Sequence, residues 1–207
     1  RTGSVSITDD GVTEDDEDFR VTLSGASAGT AVTTSSATVT IETDDTLPVS
    51  VGTSASVTES VGSPPIVAVS LVGESDSETT VTLVTVAGSA VGGDDFVPLT
   101  VTLTWSPGET GTKTASVNIV NDAVYEFAET FNVTVSGATA GVVVSQPTLV
   151  VTINDDDTVS LSAASLSIAE AAGPAVVDVS MTGSAAHAVS VDYTLVDDTA
   201  IGGPEYG

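Results

Sequence analysis

The sequence IVNDAVYEFAETFNVTVSGA (residues 119–138) is a second copy of ITDDGVTEDDEDFRVTLSGA (residues 7–26), displaced by 112 positions. The two copies share their apolar positions, one Asp and two Glu residues. At the same displacement the correspondence continues to the acidic ends of the copies, ETDDT (residues 42–46) and NDDDT (residues 154–158). Internal repetition at a fixed spacing identifies the structural unit of a chain, so we take a repeat of this length as the unit here.

A further correspondence relates the middle of the chain to its end. VTES (residues 57–60) resembles IAEA (residues 168–171), and AVGGDDF (residues 90–96) resembles AIGGPEY (residues 200–206). We therefore interpret the chain as a window from a longer tandem array. The predicted parts are the C-terminal part of one repeat (1–46), a complete repeat (47–158) and the N-terminal part of a third (159–207). No linker rich in Gly, Ser or Pro separates them, which predicts closely coupled repeats.

Short apolar segments rich in β-branched residues dominate the sequence. Clusters of Gly, Ser, Pro and Asp separate them, and no segment has a sustained helical period. The clearest segments of the middle repeat are residues 67–71, 81–84, 101–105, 131–135 and 149–153. About seven such strands per repeat predict an all-β fold built of tandem antiparallel β-sandwiches.

The charge of the chain is strongly negative. Three Lys and Arg residues stand against 29 Asp and Glu residues, which gives a net charge of −26. So few cations cannot form a basic surface, and this excludes nucleic acid and anionic lipid as partners. Hydrophobic residues make up 41% of the chain, which is enough for a packed core. No apolar segment approaches the ~18 residues of a membrane helix, so we expect no direct membrane insertion by this segment.

The sequence offers little for catalysis. It contains no Cys, which excludes thiol chemistry, and its single His excludes zinc sites of the usual His/Cys type. No nucleophile–base pair can be assembled around that residue, His187, which we expect at a surface or a junction between repeats. Trp105 precedes a Ser-Pro-Gly turn and is predicted to pack in the interior. We therefore expect that the chain is not an enzyme.

Acidic residues are concentrated at one end of the predicted sandwich. In an antiparallel arrangement every second strand ends at the same pole, so three loops and the C-terminal tail of the repeat gather there. In the middle repeat these segments carry Glu59, Asp94, Asp95, Asn121, Asp122, Glu126, Glu129, Asp155, Asp156 and Asp157. The opposite pole carries Glu74, Asp76, Glu78 and Glu109, which we assign to a solvated surface.

Carboxylates crowded at one pole repel one another, by ~1 kcal/mol for a pair 4 Å apart even in water. Ca²⁺ relieves this repulsion because it takes about 6–8 oxygen ligands. The pattern therefore predicts Ca²⁺ at this pole, with enough carboxylates for two or more ions that share ligands. A solvated acidic surface without metal is the alternative, but it does not explain three adjacent Asp residues at a repeat boundary or the recurrence of Glu59 as Glu170.

Taken in order, these motifs resemble the Calx-β domain. The middle repeat has a Glu after its first strand (Glu59), the segment 90–96, a Pro-Gly-Glu turn (107–109), an acidic stretch (121–131) and a closing Asp triplet (155–157). The resemblance covers all 207 residues, as part, whole and part. It implies an immunoglobulin-like sandwich that binds Ca²⁺ at one tip.

The resemblance also implies which residues bind the metal. In the middle repeat these are Glu59, Asp95, Asp122, Glu126, Glu129, Asp155, Asp156 and Asp157. In the first repeat they are Asp10, Glu14, Glu17, Asp44 and Asp45. Thr43 replaces the first Asp of that triplet, so fewer ions are expected there. The third repeat offers Glu170, whereas its Pro204-Glu205-Tyr206 departs from the Asp-Asp-Phe pattern.

Calx-β domains occur in tandem arrays of surface and adhesion proteins, and in the cytosolic regulatory region of sodium–calcium exchangers. The resemblance and the direct connection of the repeats favour a calcium-binding structural segment of a large extracellular or cell-surface adhesin, stalk or filament. In such a protein Ca²⁺ would make the joints between repeats rigid. The expected partners are neighbouring repeats, other copies of the chain or a cell-surface partner. Two alternatives stay open, a Ca²⁺-sensing regulatory module of a membrane protein and a passive acidic spacer without specific metal.

Overall fold

A computed structural model of the chain describes residues 2–52, 54–60, 64–200 and 202. Contacts divide the chain into two compact units, residues 1–121 with 128–154 and residues 122–127 with 155–207. The described residues form 17 strands and one short 3₁₀ helix, Glu170–Ala172. The strands are β1 (Val12–Thr13), β2 (Glu17–Thr22), β3 (Ser36–Ile41), β4 (Leu47–Val51), β5 (Ser54–Thr58), β6 (Ile66–Leu71), β7 (Glu74–Ser75), β8 (Thr79–Ala87), β9 (Thr100–Trp105), β10 (Gly111–Ser116), β11 (Val124–Tyr125), β12 (Glu129–Ala138), β13 (Val142–Gln146), β14 (Thr148–Asn154), β15 (Ser160–Ala163), β16 (Val179–Thr182) and β17 (Ser184–Ala185).

The first unit contains a sandwich of two sheets. One sheet has five strands in the order β5-β14-β12-β8-β9, and the other has four in the order β10-β6-β4-β13. Neighbouring strands are antiparallel, except that β5 pairs with β14 and β13 pairs with β4 in parallel. This arrangement confirms the all-β sandwich predicted from the strand pattern.

The sandwich has nine strands where the sequence predicts about seven, because the first and last strands of the repeat are each divided. β4 belongs to the four-stranded sheet, and β5, which follows it, belongs to the five-stranded sheet. β13 and β14 are separated by Pro147, whose nitrogen has no hydrogen to donate to a strand ladder. The chain therefore passes from one sheet to the other at both ends of the repeat.

The core lies between the two sheets and is formed by alternate residues of each strand. The largest fully buried side chains are Trp105, Phe96, Phe131, Leu47 and Leu83. Phe96 and Phe131 stack with ring centroids 4.2 Å apart. The indole N–H of Trp105 donates to the Gly111 carbonyl at 3.2 Å, and this contact with the complete burial of the ring confirms its predicted packing role.

The first repeat contributes the hairpin β2–β3 and the short strand β1 to the same unit. β1 pairs in parallel with β7, which places Val12 opposite Glu74 and Thr13 opposite Ser75. The Asp76 N–H donates to the Thr13 carbonyl at 3.2 Å and extends this pairing. We call this contact between the first and middle repeats the first joint.

The second unit contains two small sheets, an antiparallel pair of β15 with β16 and a parallel pair of β11 with β17. The parallel pair places Tyr125 opposite Ala185, and the Ala186 N–H donates to the Tyr125 carbonyl at 3.1 Å. We call it the second joint. The parallel pairing of the first joint is formed again here, between the middle repeat and the third repeat.

Among the residues that the structure describes, no helix is long and apolar enough to cross a membrane.

His187 lies at the second joint, which confirms the position predicted for it. Its ring stacks on Phe127 with centroids 3.8 Å apart and lies 5.1 Å from the Tyr125 ring. Phe127 is 65% exposed, so the three rings form a cluster at the surface of the second unit. We call it the aromatic cluster.

Candidate metal centre

The strand ends of the sandwich gather at one pole, as the antiparallel pattern predicts. The Glu59 N–H donates to the Asn154 carbonyl at 2.8 Å, which ties the end of β5 to the end of β14. The Val120 N–H donates to the Asp95 carbonyl at 2.9 Å, which ties the loop after β10 to the loop between β8 and β9. Glu129 begins β12 opposite the end of β14. Three predicted ligands of the first unit, Glu59, Asp95 and Glu129, therefore follow or begin strands at this pole.

Two of these carboxylates are close enough to share a cation. A carboxylate oxygen of Asp95 and one of Glu129 lie within 4.8 Å of each other, and both side chains are partly buried. Asp95 is held in place because its Oδ2 accepts a hydrogen bond from the Val91 N–H. Glu59 is only 7% exposed, an unusual burial for a Glu side chain.

The second unit holds the other predicted ligands of the middle repeat, Asp122, Glu126 and the triplet Asp155-Asp156-Asp157. Both side-chain oxygens of Asp155 and Oδ2 of Asp157 are buried without a hydrogen-bond partner. Burial raises the pKa of Asp157, and the charges of Asp155, Asp156 and Asp122 raise it further. Buried carboxylate oxygens without donors fit a hard divalent cation, which would satisfy them and offset the repulsion.

The five predicted ligands of the first repeat lie around one cavity of about 400 Å³. They are Asp10, Glu14, Glu17, Asp44 and Asp45. The cavity is also lined by Asp9, Asp15 and Glu42, which the sequence analysis did not assign. Asp9 could have been found from the repeat, because it is the counterpart of Asn121, where the Calx-β pattern often has Asp.

The residues that line this cavity include several carboxylates and no Lys, Arg or His to balance their negative charge. Burial raises the pKa of Glu14, with further contributions from the charges of Asp10, Glu17, Asp76 and Asp45. Burial likewise raises the pKa of Asp45, with contributions from Asp44, Asp9 and Asp10. Each ionised carboxylate therefore opposes the ionisation of its neighbours, and a cation bound among them would remove that opposition.

Glu170, the ligand predicted in the third repeat, lies exposed in the 3₁₀ helix. The residues 203–207, which include the predicted counterpart of Asp94-Asp95-Phe96, lie outside the described residues. Among the described residues, no set of three ligand groups within 4.8 Å of one another includes Glu170. The ligand assignments in all three repeats stay predictions from the resemblance.

Comparison with known proteins places the chain in a family. The model of the Calx-beta domain matches residues 1–45, 48–157 and 152–207. The chain belongs to the Calx-β domain family. The matched segments follow one another along the chain, and together they cover nearly all of its residues.

Among solved structures, the apo form of the Calx CBD1 domain is 25% identical, with a TM-score of 0.51, over 55% of this chain and 100% of that chain. CBD12 from CALX1.2 is 24% identical, with a TM-score of 0.50, over 61% of this chain and 53% of that chain. The match thus spans about half the length of CBD12. No curated protein matches the chain.

Calx-β domains are calcium-binding domains, and Ca²⁺ is accordingly the cofactor of this chain, as the sequence predicted. The donor set agrees with this because every predicted ligand is a carboxylate, which is the oxygen ligand that Ca²⁺ prefers. The family occurs both in cell-surface proteins and in cytosolic parts of membrane proteins, so membership alone selects neither location.

Proposed function

We propose that the chain is a structural segment of a large extracellular or cell-surface protein, an adhesin, stalk or filament built of tandem Calx-β domains. Its role is mechanical, and it does not include catalysis. Ca²⁺ at the acidic pole of each repeat holds the following repeat in one direction. The partners in this role are the neighbouring repeats, together with other copies of the chain or a cell-surface partner.

One observation carries the proposal: the acidic cavity of the first repeat is directly connected to the core of the next repeat. Asp45 lines the cavity, and only Thr46 separates it from Leu47, the first residue of β4. Leu47 is 1% exposed, and its N–H donates to the Gly141 carbonyl at 3.0 Å. This connection is too short to act as a flexible linker. A movement of Asp45 is therefore expected to move the start of β4 with it.

The same connection supports the proposal in the second unit. Asp157 is separated from β15 by Thr158 and Val159 alone. Without metal, the repulsion within the triplet favours a splayed connection. With metal, the same oxygens are drawn toward a common centre and hold the start of the third repeat. The expected effect is a shift in the population of angles between repeats, with no refolding of the sandwich.

Small-angle X-ray scattering of the full chain, in EDTA and in millimolar Ca²⁺ at constant ionic strength, tests the proposal. We expect a narrower distribution of distances and a greater maximum dimension with Ca²⁺. Asp44→Asn, which removes a predicted ligand, should reduce the change, whereas Asp198→Asn removes the same charge outside the predicted sites and should not.

If calorimetry shows that Ca²⁺ binds while the scattering profiles superimpose, the metal stabilises single repeats only and the stalk function is wrong. If calorimetry shows no binding, the chain is a passive acidic spacer.

A second candidate function is a Ca²⁺-sensing regulatory module, which is favoured by the similarity to the Calx CBD1 domain. The number of repeats in the parent protein separates the two. A stalk has many closely similar repeats, whereas a regulatory module has two repeats and flanking membrane spans. Sequencing the parent gene on both sides of this segment decides between them.

A further inference from the structure

A second cavity, of about 330 Å³, lies at the first joint and differs from the cavity described above. Its lining comes from residues 13–16 and 43 of the first repeat and from residues 75–79 and 139–141 of the middle repeat. Its acidic side chains are Glu14, Asp15, Asp16, Asp76 and Glu78, and its lining includes no Lys, Arg or His. Because Glu14 and Asp15 also line the first cavity, the two cavities adjoin.

The hydroxyl group of Thr13 is an independent sign of a ligand in this cavity. Thr13 lines the cavity and is only 6% exposed, and its Oγ1 is buried without a hydrogen-bond partner. A buried hydroxyl group without a partner is costly, so such groups are usually satisfied by water, by protein or by an ion. Thr13 brings this group to a cavity lining that is rich in carboxylates, for which a cation is the complementary species.

The backbone fixes the two sides of the cavity against each other. The pairing of β1 with β7 and the hydrogen bond from the Asp76 N–H to the Thr13 carbonyl set the position of the middle-repeat loop. Glu14 and Asp76 both line the cavity, one from each side of the joint. Acids from two repeats are thus held together with no cationic side chain between them in the lining of the cavity.

We propose that this cavity is a further divalent cation site that bridges two repeats, with Glu14 and Thr13 Oγ1 from the first repeat and Asp76 from the middle repeat as ligands. Glu14 is shared with the metal site of the first cavity. This site deepens the proposed function and rests on it, because it makes the following repeat a direct partner of the ion.

The second joint serves as an internal comparison. By the strand register, Ala186, His187 and Ala188 occupy the positions of Asp76, Ser77 and Glu78. No carboxylate can therefore come from that loop of the third repeat. The bridging site is specific to the first joint, and the aromatic cluster occupies the corresponding place in the second.

Isothermal titration calorimetry of the full chain with Ca²⁺ alone, after removal of metal by a chelator, tests the site. Asp76→Asn should lose one ion from the stoichiometry or weaken one class of site at least tenfold. Glu74→Gln is the matched control, because it removes one charge from the same loop at a residue outside the cavity lining. It should leave both the stoichiometry and the affinity unchanged.

Thr13→Val provides a second, isosteric variant. It should weaken the same class of site, and without metal its melting temperature should equal or exceed that of the wild type because an unpaired buried hydroxyl group is removed. If Asp76→Asn binds Ca²⁺ as Glu74→Gln does and Thr13→Val binds as the wild type does, the bridging site is overturned. The proposed function then stands if the wild-type scattering still responds to Ca²⁺, whereas a wild type that binds no Ca²⁺ overturns both.

Discussion

The two joints use the same backbone contacts but different side chains. In each, a two-residue strand of one repeat pairs in parallel with a two-residue strand of the next, and one further N–H donates to the carbonyl of the second paired residue. At the first joint the surrounding side chains are acidic, as with Asp15 and Asp76. At the second joint the corresponding residues are Phe127 and Ala186, and His187 stacks on Phe127.

This difference shows that one backbone contact can be stabilised in two ways. Acidic side chains repel one another, so we expect the first joint to depend on cations. Aromatic rings attract one another through apolar contact and their charge distribution, so the second joint has a contribution that needs no metal. The expected consequence is that neighbouring joints of one array differ in their dependence on Ca²⁺. Four predictions test this difference, from the largest expected effect to the smallest.

Ca²⁺ should affect the first joint more than the second. A free Ca²⁺ concentration of ~100 times the dissociation constant stabilises the state that binds the ion by ~2.7 kcal/mol. This free energy corresponds to about a hundredfold increase in protection from hydrogen exchange. We expect the Asp76 amide to gain up to this factor on addition of Ca²⁺, and the Ala186 amide to gain much less. Hydrogen exchange measured by NMR in EDTA and in Ca²⁺ reads both amides in one sample. Equal gains would contradict the difference.

Phe127→Ala should weaken the second joint in the absence of metal. Aromatic pairs contribute ~0.5–1.5 kcal/mol beyond their buried area, so we expect the protection of the Ala186 amide in EDTA to fall roughly twofold to tenfold. Asp15→Ala, at the corresponding position of the first joint, is the control and should not lower the protection of the Asp76 amide. An unchanged Ala186 amide in Phe127→Ala would show that the rings do not hold the joint.

The aromatic contact should be transferable to the first joint. The double variant Asp15→Phe with Ser77→His places the two rings at the corresponding positions and removes one negative charge. In EDTA the Asp76 amide should gain about twofold to threefold in protection, near the lower limit for an exposed aromatic pair. Asp15→Ala with Ser77→Ala removes the same charge without adding rings and should give a smaller gain. Equal gains in both variants would assign the effect to charge alone.

Acidification should stabilise the first joint when no metal is bound. The pKa of Glu14 is raised above its ordinary value of 4.5, so the folded state binds its proton more tightly than the unfolded state does. Stability without metal should therefore rise as the pH falls from 7 through the raised pKa, and the gain should be complete below about 4.5. Protection factors of the Asp76 amide in EDTA measure this effect. Burial and the charges of Asp10 and Glu17 are larger causes of the shift than the charge of Asp76, so Asp76→Asn should make the rise smaller without abolishing it. A profile that falls on acidification would contradict the prediction.

Much of the fold could be predicted from the sequence because it depends on local patterns. Alternating apolar residues determine which face of a strand is buried, so core residues such as Val81 and Leu83 follow from the pattern alone. The division of the last strand at Pro147 was not predicted, because the separation of its first half into the other sheet depends on the parallel pairing of β13 with β4, which is distant in sequence.

The sequence by itself established the repeat, through its self-similarity, and predicted the all-β class, an acidic pole and Ca²⁺ as the cofactor, through strand alternation and the positions of the carboxylates. Only the tertiary structure decided which loops of neighbouring repeats meet. The sequence assigned Asp76 to a solvated surface, whereas the structure places it on the lining of a cavity with Glu14, 62 positions earlier in the chain. The physical reason is that this contact is made by the pairing of β1 with β7, two backbone segments too short to have a pattern of their own.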